Sequence, residues 1–195
     1  MTPTAPHLTE EQLAAGWPAI VASPKDRGTL AMIVRRPAEG TREVLAEGQL
    51  DLVEGLVGDS WSRRGRGRAN PDTQLNVMNA RAIALVAHTR DRWPLAGDQL
   101  LIDLDLSDEN LPPGSRLAIG EAIIEVTAEP HTGCAKFAAR FGRAAAKFVN
   151  SPAGKRHHLR GINAKVIQPG LIREGDAVIK LNRNDAIETR ARPNL

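Results

Sequence analysis

The most constraining stretch of this chain is residues 99–106, where Leu100, Ile102, Leu104 and Leu106 alternate with Leu101, Asp103 and Asp105. That period of two belongs to a half-buried β-strand. Residues 29–35, 117–127 (broken or bulged near Gly120), 160–167 and 177–181 are further strand-like runs, and residues 42–50 can pair back as a hairpin. Gly, Pro and Asp clusters separate them, and no regular βαβ repeat is present. The chain is therefore expected to be mainly β with peripheral helices (α+β), a closed or partly closed barrel with helices packed outside.

Three helices are predicted. Residues 9–15 carry Thr9 as N-cap and Gln12 at the reach-back position of a capping box, with Gly16-Trp17-Pro18 ending the element. Residues 80–87 form a second. The third follows the only cysteine: Phe137, Phe141, Ala144 or Ala145, and Phe148 share one face, and Lys136, Arg140, Arg143 and Lys147 make an adjacent basic stripe. At 195 residues a single domain is expected, with its core over about residues 20–182, a helical lead-in over 1–19 and a tail over 183–195.

One cysteine excludes an internal disulfide, a four-cysteine zinc site and a four-cysteine iron–sulfur cluster. A lone free thiol fits a cytoplasmic protein. No apolar run reaches the ~20 residues that span a bilayer, and the N-terminal residues do not read as a signal peptide, so no membrane partner is expected.

Cys134 follows Pro130, His131 and Gly133 and precedes the third helix, on a strand-to-helix corner. Unpaired backbone N–H groups at such a corner favour an anion and can lower a thiol's pKa. Lys136 could add to that effect and His131 could act as a base or an anion contact. Against this stands the ordinary fate of a free cysteine, a small buried hydrophobe.

Arg63, Arg64, Arg66 and Arg68 lie in a Gly-punctuated segment that suits phosphate or another oxyanion, or is simply a solvated loop. Nucleic acid is disfavoured, because the segment is short, lacks aromatics and sits in a chain of net charge +3. His157-His158 is a poor chelate if extended, and the acidic run around Asp103–Glu109 lacks the pattern of a calcium loop. Gly58-Asp59, Gly97-Asp98 and Gly175-Asp176 stand at strand entrances, where turn geometry alone accounts for them.

Residues 113–142 (PGSRLAIGEAIIEVTAEPHTGCAKFAARFG) and 159–181 (LRGINAKVIQPGLIREGDAVIKL) resemble the MOSC family, the molybdenum cofactor sulfurase C-terminal domains. The carrying features are G-x-x-L-x-I-G-x-A, the cysteine after the next strand, and R-G-I-x-A-x-V followed by G-x-I-x-x-G-D. The resemblance covers roughly residues 20–182 and implies a barrel-containing fold.

It implies a pyranopterin molybdenum cofactor, with Cys134 as sulfur carrier or molybdenum ligand. Lys136, Arg160 and the Arg63–Arg68 segment are the candidate contacts to its phosphate, the last by our own inference. It also implies a separate sulfur or electron donor protein, the latter for a reductase of N-hydroxylated compounds. No pyridoxal phosphate is expected. The G-E-N-L-T-T motif of some stand-alone bacterial members is replaced by Asp108-Glu109-Asn110-Leu111-Pro112, which leaves Asn110 as the candidate contact there. The reading from a different class is a non-catalytic anion-binding module with a structural Cys134.

Overall fold

Leu100, Ile102, Leu104 and Leu106 all point into one buried cluster with Leu30, Val77, Leu117, Ile124 and Val178. The computed structural model that shows this describes residues 7–63 and 69–182. Its strands are β1 (Arg27–Arg35), β2 (Glu43–Leu45), β3 (Glu47–Asp51), β4 (Gly55–Leu56), β5 (Leu75–Asn79), β6 (Leu100–Asp103), β7 (Arg116–Ile119), β8 (Ala122–Val126), β9 (Ile162–Gln168), β10 (Gly170–Arg173) and β11 (Ala177–Leu181). Among the described residues the helices are α1 (Glu10–Val21), α2 (Ala80–Ala87), α3 (Ala135–Phe141), α4 (Arg143–Asn150) and α5 (Pro152–Arg156).

The main sheet runs β11-β7-β8-β9-β5-β6-β1-β2, and β11 also pairs with β1, which closes seven strands into a barrel. Closure removes the exposed edges of those strands. Every pair is antiparallel except β5–β6, whose crossover carries α2. Strands β10, β3 and β4 make a small second sheet.

The strand alternation explains the two-layer core. Leu100 and Ile102 fill the barrel, while Leu101 faces outward into a second cluster with Leu13, Met32, Ile83, Phe137 and Phe141 beneath the helices. Asp103, on that same outer face, pairs with Arg81 of α2 at 2.7 Å. Leu101 is therefore apolar because a helical layer covers it.

Two expectations are corrected, and a third, the break near Gly120, is borne out as a hairpin turn. Thr9 and Gln12 form the capping box, but α1 does not stop at Pro18; it continues to Val21, because Leu13 and Ile20 are both buried on its inner face. Residues 117–127 are two strands, joined where Gly120 has φ +54°, with Ile119 opposite Ala122. A two-residue hairpin connection needs such a left-handed residue. The single helix expected after Cys134 is two helices, broken at Gly142, whose φ of +94° and ψ of 160° only glycine adopts readily.

Among the described residues no helix is long and apolar enough to cross a membrane.

Candidate functional site

Cys134 is the N-cap of α3 and is exposed, with its backbone extended at φ −107° and ψ 177°. The loop carrying it is clamped from α4: Gly133 N–H donates to Asn150 Oδ1 at 3.0 Å and Asn150 Nδ2 donates to the Gly133 carbonyl at 3.1 Å. A β-carbon on Gly133 would stand 2.8 Å from Asn150 Nδ2, so glycine permits the close approach.

Burial at the cleft wall pushes the Cys134 thiol up. The backbone amides of Phe137 and Lys136 and the charge of Arg160 pull it down further, so the net shift is downward. α3 has seven residues. The downward pull is exerted locally, by the first-turn amides and Arg160.

Cys134 opens on a cleft of about 810 Å³. Among the described residues six basic side chains line it, Arg36, Arg42, Arg63, Lys136, Arg140 and Arg160, against one carboxylate, Glu39. Two of the arginines form its fixed base. Arg36 is fastened to Asp59 through its backbone N–H, Nε and Nη2 at 2.8–3.0 Å, and its Nη1 donates to Asn76 Oδ1 and the Gly97 carbonyl. Arg160 Nη1 donates to both oxygens of Asp98 and Nη2 to the Ala96 carbonyl. Its guanidinium also lies 5.1 Å from the centre of the Phe137 ring, which ties α3 to the start of β9.

These two ion pairs are almost wholly buried: side-chain exposure is 4% and 0% for Arg36 and Asp59, 8% and 0% for Arg160 and Asp98. Buried pairs contribute little net stability but hold charge in place, and losing one partner is costly. Turn geometry alone therefore does not account for Gly58-Asp59 and Gly97-Asp98. The glycines do turn the chain, at φ +81° and +88°, but Asp59 and Asp98 anchor the cleft arginines. Gly175-Asp176 keeps its turn role, with Asp176 accepting from Arg173 N–H.

Two buried polar atoms at this base have no hydrogen bond, Arg160 Nε and His131 Nδ1. His131 Nδ1 lies 3.5 Å from Asp98 Oδ1, at the outer limit of hydrogen bonding. Burial pushes the His131 pKa down to about 4; Asp98 opposes the shift, while Arg160 and Arg36 add to it. The ring is neutral at physiological pH, so its contact with Asp98 is no ion pair there.

A model of the MOSC domain family matches residues 64–179, more than half of the chain. The chain belongs to the MOSC domain family. No curated protein matches it. Among solved structures, YuaD from Bacillus subtilis superposes with a TM-score of 0.58 at 16% identity, covering 78% of this chain and 94% of that one. YiiM from Escherichia coli gives 0.53 at 22%, covering 80% and 70%. YiiM from Geobacillus stearothermophilus gives 0.54 at 16%, covering 80% and 76%. At these identities the likeness establishes the shared fold.

Within this MOSC domain the residues singled out from sequence are only partly brought together. Cys134, His131, Lys136, Arg160 and Arg63 line the one cleft. Lys136 sits at its exposed surface, paired with Glu39 at 2.9 Å. Arg63 donates to the Pro37 carbonyl, while Arg64, Arg66 and Arg68 lie outside the described residues. Asn110 is elsewhere: it borders a different cleft, donates to the Lys25 and Asp105 carbonyls and accepts from Lys180. His158 is held by Asp108 and His157 packs on Trp17.

Sequence reading missed Arg36, Arg42 and Asn76 altogether. Arg36 follows a strand end and looks like a surface residue until Asp59 is seen beside it. Arg140 was legible as part of a basic stripe, but the break at Gly142 divides that stripe. Lys136 and Arg140 line the cleft, whereas Lys147 pairs with Glu10 of α1.

Proposed function

We propose that this MOSC protein binds an anionic pyranopterin molybdenum cofactor in the Cys134 cleft and presents Cys134 to it as a thiolate ligand. The observation that carries this reading is the exposed Cys134 with a lowered thiol pKa on the wall of a cleft with six basic side chains.

The residues present fit such a group. Arg160 Nε and His131 Nδ1 are buried polar atoms without a protein partner at the base of the cleft. Orphaned buried polar atoms are costly, and a bound ligand is one way of satisfying them. Among the described residues no group of three His, Cys, Asp or Glu side chains could hold a bare metal ion. A pyranopterin brings its own pair of sulfur donors, so one soft protein thiolate suffices. When bound, the molybdenum centre supplies two-electron redox chemistry.

The chain's own contributions are distinct. Arg36 and Arg160 hold fixed positive charge at the base through their carboxylate anchors. The Lys136 and Phe137 amides keep Cys134 toward its thiolate form. His131 stays neutral and adds no positive charge beside that thiolate. Molybdenum and pterin content of the full chain, purified from a cofactor-competent host, tests the reading.

The exposure of Cys134 favours a second reading, in which it carries sulfur delivered by a separate donor protein. A cysteine persulfide at Cys134, found by mass spectrometry in molybdenum-free protein, supports that reading over the ligand role.

A further inference from the structure

We propose that Cys134 is a thiol–disulfide exchange site for small anionic disulfides, and that the mixed disulfide it forms closes the cleft to the cofactor. The closure rests on the reading of the cleft as a cofactor site; the exchange chemistry does not.

Cys134 is exposed, and the loop that carries it is fixed by the two hydrogen bonds between Gly133 and Asn150. The chain has no other cysteine. A mixed disulfide here has no second thiol in the chain to resolve it, so it persists until an outside thiol removes it. In the exchange, the Cys134 thiolate attacks one sulfur of the disulfide. A new S–S bond forms, the old one breaks, and its electron pair leaves on the second sulfur as a thiolate. Cys134 is oxidised and the departing half is reduced, with no further co-reactant. The Lys136 and Phe137 amides favour the anionic sulfur that starts the reaction.

The cleft selects the partner. At about 810 Å³ it lies within the range of roughly 300–1,000 Å³ that holds a ligand of tripeptide size. Arg36, Arg160 and Lys136 are each paired with a carboxylate. Arg63 and Arg140 instead donate to the Pro37 and Leu95 carbonyls, so their charge draws anions toward the thiol and repels cations. At the base, Arg160 is 7% exposed and its Nε has no hydrogen bond. A carboxylate of a seated ligand satisfies such a donor. Glutathione disulfide has this chemistry, since each half is a net-negative tripeptide with a carboxylate at either end. A cleft filled in this way lacks both the free Cys134 thiolate and the open room beside Arg160 that the cofactor needs.

The test reacts the full chain, free of molybdenum, with glutathione disulfide, hydroxyethyl disulfide and cystamine, which are anionic, neutral and cationic. Adducts are followed by intact mass spectrometry, and each rate is divided by that of the same disulfide with a neutral free thiol. At low ionic strength glutathione disulfide is expected to lead cystamine by about tenfold or more. The lead should collapse in 1 M salt, where the screening length is about 3 Å. Arg63→Gln and Arg140→Gln should each cut it by about threefold, and the hydroxyethyl disulfide rate serves as the control for folding. No adduct, an equal or reversed charge preference, or a preference indifferent to salt and to both substitutions would overturn the exchange site. A chain with the preference that acquires neither molybdenum nor pterin in a cofactor-competent host sinks the cofactor reading and keeps the exchange site. A chain that acquires both but lacks the preference sinks the exchange site alone. In the molybdenum-loaded chain Cys134 should exchange about tenfold more slowly or less; exchange at the unloaded rate with molybdenum retained would overturn the closure.

Discussion

Arg160 directs one terminal nitrogen at both carboxylate oxygens of Asp98, at 2.9 and 2.7 Å, with Asp98 fully buried. This contact joins the loop entering β6 to the residue entering β9, and it stands next to His131. It fixes a positive charge beside Cys134 without leaving that charge uncompensated.

Replacing Asp98 by Asn should therefore leave a buried guanidinium without its counter-ion. The expected loss is about 3–5 kcal/mol of unfolding free energy, measured as a fall in the denaturant midpoint. Arg116→Gln removes a pair that is 39% and 21% exposed, and should cost less than about 1 kcal/mol.

His131 gives a pH signature. Its pKa is about 4 in the folded chain against an unfolded value near 6.5. The unfolded state binds the proton first on acidification, so this group's contribution to stability is fully present above about pH 6.5 and is lost as the pH falls through about 4. The unfolding free energy between these limits should fall with decreasing pH, by up to about 3 kcal/mol from this residue. His131→Gln should flatten the profile in that window.

The thiol of Cys134 should react with iodoacetamide at a lower pH than a free cysteine, because the Phe137 and Lys136 amides and Arg160 outweigh burial. Arg160→Gln removes one of those influences. Its rate profile should move to higher pH, provided that circular dichroism shows the folded chain.

Gly142 tests the break between α3 and α4. A β-carbon there would meet the His7 ring at 2.8–2.9 Å and would need φ +94°. Gly142→Ala should lower stability by about 1–3 kcal/mol, read as a drop in melting temperature.

How much of this was legible in sequence follows from the range of each interaction. The Leu100–Leu106 alternation and the Thr9–Gln12 capping box are local, and both stand in the structure. The division at Gly142 was not legible, because continuous helical spacing of Phe137, Phe141 and Phe148 masks a glycine whose backbone angles are set by packing. Cys134, His131 and Arg160 were found because they carry motifs or distinctive chemistry. Asp59 and Asp98 hid in turn dipeptides, and Arg36 in a strand end. Their partners are 23 and 62 residues away, and nothing local announces such pairings. Asn110 entered through a departure from a motif, and the structure puts its side chain in a separate network.

The most direct test of the central claim is the molybdenum and pterin content of the unaltered chain and of Cys134→Ala, both expressed in a cofactor-competent host. The account predicts molybdenum and pterin together in the unaltered chain and molybdenum markedly depleted in the variant, with the fold retained. An unaltered chain free of both, or a variant that keeps its molybdenum in full, would contradict it.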